Sequence, residues 1–252
     1  MSWSSRRRTT YLSIVGFFVL LLGVGAYFLF FYEPAQCSDG IQNGIETGVD
    51  CGGSCERLCR ADLSDPVVLW SRVTEVVPGV YNVIAYVDNP NFSAATERID
   101  YQFQIFDQEN VVIAERTGSI ALPANGVTPI FEGGIQTDNA VPVRVFFEIQ
   151  QEGEWQESTK QLSSLSVTDR SLSEGATPKL NAVIRNTTVD EFRQVPVVAV
   201  IFDDAGNVIA SSQTVVDRLP PGASAPLVFT WPQPFSRSAA QIDILPRLSV
   251  SF

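Results

Sequence analysis

The stretch IFDDAGNVIA, residues 201–210, is central to the fold of this 252-residue chain because it occurs a second time. An earlier copy, IFDQENVVIA at residues 105–114, precedes it by 96 positions. Both copies place a polar turn that begins with aspartate between two apolar runs, a pattern typical of a β-hairpin. The repeat predicts two similar β-rich units rather than one mixed domain.

Features on either side of the hairpin are repeated as well. Leu122-Pro123 corresponds to Leu219-Pro220, and Val87-Asp88-Asn89 corresponds to Ile184-Arg185-Asn186, both at a separation of 97. Apolar and polar residues alternate between the turns, which indicates half-buried strands. Two all-β sandwiches of about 90 residues each are therefore predicted. They cover residues 61–151 and 161–252, and the polar segment 152–160 is predicted to link them.

Each unit resembles the immunoglobulin-like sandwich domains of bacterial envelope proteins, especially the FxLYD and CARDB-like groups. The second unit carries the resemblance, through Asn186-Thr187-Thr188, the hairpin at 200–208 and the turn at 219–222. The first unit departs from it at residues 108–110, where the glycine of the turn is missing. The resemblance implies a two-sheet fold and no particular activity.

The N-terminal region contains an uncharged run, YLSIVGFFVLLLGVGAYFLFFY, at residues 11–32. At 1.5 Å per residue, a helix of this length crosses a hydrocarbon core of roughly 30 Å. Arg6, Arg7 and Arg8 precede the run and every acidic residue follows it. The positive-inside rule then places residues 1–10 in the cytoplasm and residues 33–252 outside the cell membrane.

A cleaved signal peptide is the alternative interpretation of the apolar run. Its apolar core is usually about 7–15 residues long and ends at a small-x-small cleavage site. Here apolar residues continue through Phe31, beyond the small residues at 23–26. The sequence therefore favours an uncleaved, single-pass signal anchor.

All four cysteines lie in residues 33–60, directly after the apolar run. Because disulfides persist outside the cytoplasm, Cys37, Cys51, Cys55 and Cys59 are predicted to form two disulfides that order this neck. Three connectivities remain open. A zinc site is the alternative, but the chain has no histidine and no CxxC pair.

The cysteine-rich neck also resembles a known motif. Residues 37–55 read CSDGIQNGIETGVDCGGSC, which is similar to a pattern C-x-D-G-x-x-N-G-x-E-T-x-V-D-C-G-G-x-C of bacterial surface and secreted proteins. The final spacing departs from the motif, because three residues rather than two precede Cys59. The resemblance implies an extracytoplasmic bacterial setting and no activity.

The polar residues of the neck allow two interpretations. Asp39, Asn43, Thr47 and Asp50 fall at positions 1, 5, 9 and 12 of an EF-type loop, where calcium ligands occur. Position 3 is Ile41, which cannot coordinate a cation. The other interpretation is turn chemistry from the Asp-Gly and Asn-Gly pairs. Turn chemistry is favoured, and calcium is the one cofactor that the sequence suggests.

Composition narrows the class of function. The chain carries 17 basic and 28 acidic residues, a net charge of −11, which argues against binding nucleic acid. The lack of histidine excludes the usual Ser-His and Cys-His nucleophile systems. No P-loop or GxGxxG sequence occurs. An enzyme is therefore not expected.

The sequence predicts a non-catalytic, membrane-anchored protein whose sandwiches contact another protein of a cell-envelope assembly. A carbohydrate-binding or adhesive module, with a polysaccharide partner, is the second hypothesis. For that hypothesis Trp155, in the predicted linker, is the expected exposed contact, and with Trp231 it would face the junction between the sandwiches. Packing in the core or between the domains is the favoured interpretation of Trp231.

Overall fold

A computed structural model describes residues 3–31, 34, 36–138, 140–158 and 164–250, with side chains from residue 7 onward. Residues 159–163, where the predicted linker ends and the second predicted sandwich begins, lie outside the described residues. So do Tyr32, at the end of the predicted membrane span, and residues 251–252. The chain divides into two compact units, Met1–Cys59 and Arg60–Phe252.

The first unit begins with a single helix, α1 (Trp3–Phe30). The part from Arg7 to Phe30 is long and apolar enough to cross a membrane, as an anchor or as a signal sequence. The helix begins eight residues before the predicted span because no glycine or proline interrupts residues 3–10. Its apolar side chains are exposed along its described length.

The larger structural unit, Arg60–Phe252, contains both predicted sandwiches and is built from strands. A 3-10 turn (Arg60–Asp62) leads into it. The described strands are β1 (Val67–Val77), β2 (Val80–Asn89), β3 (Ala94–Phe106), β4 (Val112–Leu122), β5 (Gly126–Gln136), β6 (Arg144–Glu152), β7 (Trp155–Glu157), β8 (Leu165–Ser173), β9 (Lys179–Asn186), β10 (Phe192–Phe202), β11 (Val208–Leu219), β12 (Ser224–Thr230) and β13 (Gln241–Pro246).

These strands form four antiparallel sheets. In the first half, β1–β7, the sheets are β1-β2-β5 and β4-β3-β6, and β7 pairs with β3. In the second half, β8–β13, the sheets are β12-β9-β8 and β11-β10-β13. The predicted fold class is confirmed: an all-β body of two sandwiches follows one apolar helix and a disulfide-rich neck.

The repeated hairpin has the same turn in both halves. Between β10 and β11, the Asp203 carboxylate accepts the backbone N–H of Asn207, and Gly206 has a positive φ of 78°. Between β3 and β4, Asp107 takes the place of Asp203 and Asn110 adopts a φ of 61°. Asparagine tolerates this left-handed conformation better than most residues, so the missing glycine does not change the turn.

The two halves share an apolar core. Strands β2 and β10 are buried on both faces, so alternate side chains point into their own sandwich and into the other half. The shared cluster consists of Ile84, Tyr86, Val198, Val200 and Phe202, with Trp70, Val127, Phe131, Val208 and Leu245 packed against it. The halves are therefore packed face to face through the sheets β1-β2-β5 and β11-β10-β13.

The polar segment 152–160, predicted as a linker, contains β7 in its described part. Trp155, Gln156 and Glu157 pair with residues 94–96 of β3 and extend the sheet of the first half. Only Trp155 of these three is buried, whereas Glu157 is exposed. A three-residue strand needs only one inward-facing side chain, so the other residues of the segment can be polar. This polar composition is why the sequence suggested a linker.

Candidate functional site

The neck is cross-linked by two disulfides. Cys37 pairs with Cys55 and Cys51 with Cys59, with Cα–Cα distances of 5.6 and 5.0 Å. The predicted use of all four cysteines is confirmed, and the structure selects one of the three connectivities. Apart from an isolated bridge between Gly48 and Cys51, the described neck has turns rather than strands.

Three of the four residues considered for calcium lie together, but their oxygens accept N–H groups. The Asp50 carboxylate accepts the backbone N–H of Asp39 and of Gly40, each at 2.9 Å. The Asp39 carboxylate accepts the backbone N–H of Ile41 at 2.8 Å and the Asn43 side-chain amide at 2.7 Å. These contacts are the turn chemistry that the Asp-Gly and Asn-Gly pairs favour.

The fourth residue, Thr47, lies elsewhere, with its Oγ1 3.4 Å from Sγ of Cys59. A separate group of potential ligand atoms consists of Cys37, Glu46 and Cys55, all within 4.8 Å of one another. Glu46 is buried, and one carboxylate oxygen lies 3.4 Å from Sγ of Cys55. Because the two sulfurs are bonded to each other, neither is the thiolate that a metal would bind.

The two tryptophans considered for sugar binding are both buried. Trp155 is 3% exposed, and its Nε1 donates to the Glu152 carboxylate at 2.9 Å. Trp231 is 5% exposed, belongs to the core of the second half, and donates from Nε1 to the carbonyl oxygen of Ser211 at 3.3 Å. The structure thus contradicts the exposed contact expected at Trp155, because pairing of β7 with β3 turns its ring inward.

Next to Trp231 lies an open cleft of about 480 Å³, hereafter the β1–β11 cleft. Both halves contribute to it. The lining consists of residues 73–76 of β1, Asp203, residues 207–210, Trp231 and residues 233–237. The Phe235 ring packs edge-on against Trp231, with ring centroids 5.2 Å apart, and is itself half-buried.

Asp203 ties the segment 233–237 to the hairpin. Its carboxylate is buried and accepts Asn207 Nδ2 at 3.0 Å, the Asn207 backbone N–H at 2.7 Å and Arg237 Nη1 at 2.6 Å. The hydrogen bonds from Asn207, with those from Arg237 and Ala205, lower the pKa of Asp203 to about 2. The carboxylate is therefore charged at neutral pH and fixes Arg237 at the rim of the cleft.

Sequence reasoning identified Trp231 but missed the cleft beside it. The cleft depends on β1 of the first half lying against the hairpin of the second, as shown by the 2.9 Å contact between Thr74 Oγ1 and Ser211 Oγ. A signal was nevertheless present in residues 231–237, WPQPFSR, where two prolines and two aromatic residues interrupt the strand pattern.

A second exposed feature is the beginning of β1, hereafter the β1 edge, Val67–Leu69. Val67, Val68 and Leu69 are 48%, 37% and 47% exposed. β1 is the terminal strand of its sheet and pairs with β2 on one side. Successive exposed apolar residues on a terminal strand offer both backbone hydrogen-bonding groups and apolar surface to a partner.

Comparisons with known proteins do not assign a family. No protein-family model matches the chain, and no curated protein sequence matches it. Matching solved structures include red sea bream transglutaminase, at 13% identity and a TM-score of 0.25 over 73% of this chain and 29% of that one. They also include the Amycolatopsis orientalis exo-chitosanase CsxA, at 8% identity and a TM-score of 0.20 over 66% and 25%. The chain spans less than a third of the length of either enzyme, and similarity at this level carries no functional conclusion.

Proposed function

We propose that this protein is a non-catalytic, membrane-anchored, extracytoplasmic protein that binds another protein of a cell-envelope assembly through its β-rich body. In this proposal α1 is retained as a single-pass anchor, residues 1–10 are cytoplasmic, and residues 33–252 lie outside the membrane. The neck joins the anchor to the body and tolerates an oxidising, protease-containing environment because it is cross-linked.

The observation that carries the proposal is the β1 edge. Three consecutive apolar residues are exposed there, although the neighbouring strand β2 is buried on both faces. An extended peptide of a partner could pair with β1 and cover Val67 and Leu69 at the same time. The interaction would extend the sheet β1-β2-β5, with backbone hydrogen bonds supplying affinity and side-chain contacts supplying specificity.

Site-specific crosslinking in intact cells tests the proposal. A photoreactive phenylalanine analogue at Val68 of the full-length protein should capture a discrete protein partner, because this side chain lies on the exposed edge. The same analogue at Val189, an 89% exposed position in the second half, is the control and should not capture that partner. The substitution Leu69→Glu, in the crosslinking strain, should abolish capture by placing a charge in the interface.

Equal capture at both positions, or capture that survives Leu69→Glu, would contradict docking at this edge.

The topology has its own test. A reporter that is active only outside the cytoplasm should be active when fused after residue 252, and mass analysis of the purified protein should recover Arg6–Arg8. A mature chain that begins near residue 27 would instead show that α1 is a cleaved signal sequence.

A further inference from the structure

We propose that the β1–β11 cleft binds a short neutral saccharide, through chemistry that is separate from protein contact at the β1 edge. The volume of about 480 Å³ is within the range of small-molecule sites, roughly 300–1,000 Å³. The cleft is open to solvent, so we expect a short chain of sugar rings to reach its lining.

The lining combines an aromatic ring with polar side chains that have no partner among the residues that the structure describes. Phe235 is half-buried and is held in place by Trp231 beneath it. The exposed side chains of Gln233 and Ser236 form no hydrogen bond with any described residue. A sugar matches both features of the lining. Its apolar C–H face can pack against the Phe235 ring, and its hydroxyl groups can form hydrogen bonds with the Gln233 amide and the Ser236 hydroxyl.

The charges of the cleft favour a neutral ligand over an anionic one. Arg237 is the only basic residue among the described residues that line it, and its Nη1 is committed to the Asp203 carboxylate. Glu75 contributes an additional, exposed acidic residue, which would repel a carboxylate or phosphate group. Its oxygens would instead accept hydrogen bonds from sugar hydroxyls.

The position of the cleft also provides a preorganised support for the polar side chains. Both ends of the segment 231–237 are anchored, at Trp231 by the second-half core and at Arg237 by Asp203. Opposite it, β1 is held by the Thr74–Ser211 contact. Because these walls are already anchored, the protein loses less conformational entropy when a ligand binds.

Saturation-transfer NMR on the full-length protein in lipid nanodiscs, free of sugar-headed detergent, tests the inference. The probes are the neutral disaccharides cellobiose, maltose, chitobiose and mannobiose at millimolar concentration. We expect at least one to receive saturation from the protein. Phe235→Ala should weaken binding of that disaccharide about tenfold, because the ring against which the sugar packs is lost.

A matched control and a second variant make the result decisive. Phe92→Ala removes an exposed phenylalanine outside the cleft and should change the affinity less than about twofold. If Phe235→Ala lowers the melting temperature, Gln233→Ala replaces it, since the Gln233 side chain forms no hydrogen bond with any described residue. Saturation of none of the four disaccharides, binding unaffected by the cleft variants, or tighter binding of digalacturonate than of any neutral probe would overturn the proposal. None of these outcomes bears on crosslinking at the β1 edge.

Discussion

Asn186→Asp should severely destabilise the second half, although it changes only one non-hydrogen atom of the side chain. Asn186 is fully buried, and its Nδ2 donates to the carbonyl oxygens of Asp190 at 2.6 Å and of Leu219 and Pro220 at 3.1 Å each. Its Oδ1 accepts the backbone N–H of Thr188 at 2.9 Å. The amide thus joins the end of β9 to two separate turns.

The aspartate variant keeps the acceptor but loses the donor. Three carbonyl oxygens would then face a carboxylate oxygen instead of an N–H donor. That of Pro220 keeps the backbone N–H of Ala223, whereas that of Leu219, at the buried contact, loses the amide donor. An unsatisfied buried group costs about 1–3 kcal/mol, and the buried carboxylate charge beside these oxygens adds to this cost. Since the three carbonyls share one donor nitrogen, we expect a total loss of about 3–5 kcal/mol in the free energy of unfolding. Protonation would restore one donor, so the folded-state pKa of the new aspartate is raised and the destabilisation is greater at pH 7 than at pH 4.

Urea unfolding of the full-length protein, followed by circular dichroism, measures the effect. The matched control is Asn181→Asp, on the exposed face of the same strand β9, which should change stability by less than about 0.5 kcal/mol. Asn89 is the fully buried counterpart in the first half and donates to Ala94 and Pro123, so Asn89→Asp should be similarly destabilising. Asn186→Asp with a stability equal to that of Asn181→Asp would refute the argument that this amide joins the turns.

Three further outcomes are expected. Val200→Ala, in the core shared by the halves, should lower the free energy of unfolding by about 2–3 kcal/mol and destabilise both halves in one unfolding transition. The control Val228→Ala, on an exposed strand face, should lower it by less than about 0.5 kcal/mol. Two separate transitions would show that the halves unfold independently. The pKa of Asp203 is about 2 in the folded state against an ordinary 3.8, so the melting temperature should fall as the pH is lowered from about 4 to 2. Asp203→Asn should make the melting temperature depend less on pH in this range. An equal pH dependence in the variant and the unaltered protein would contradict a stabilising role of the Asp203 charge. Alkylation without reductant should label none of the cysteines at 37–59, and labelling before reduction would contradict the disulfides.

Local features of the fold followed directly from the sequence. The repeated aspartate turn predicted both hairpins, and the paired asparagines, Asn89 and Asn186, mark equivalent buried positions. These features are predictable because a short segment satisfies its own hydrogen bonds. The even number of cysteines likewise indicated cross-linking, although only the folded backbone selects the partner of Cys37.

Features that depend on packing between the halves were not predictable in the same way. The apolar runs of β2 and β10 are consistent with strands buried on both faces, but they do not say what covers the second face. The cleft arises only where β1 meets the β10–β11 hairpin, far apart in sequence. Trp155 was predicted to be exposed because its sequence neighbours are polar, but the sheet buries its side chain.

The order of the two disulfides has a consequence for shedding of the body by proteases. Cys51 lies between Cys37 and Cys55, and Cys55 lies between Cys51 and Cys59, so the two cross-linked loops interlock. Cleavage of any one peptide bond between residues 37 and 59 leaves at least one disulfide joining the two fragments. A single proteolytic cut there cannot release the β-rich body from α1; release requires reduction as well, or a cut outside the interlocked loops.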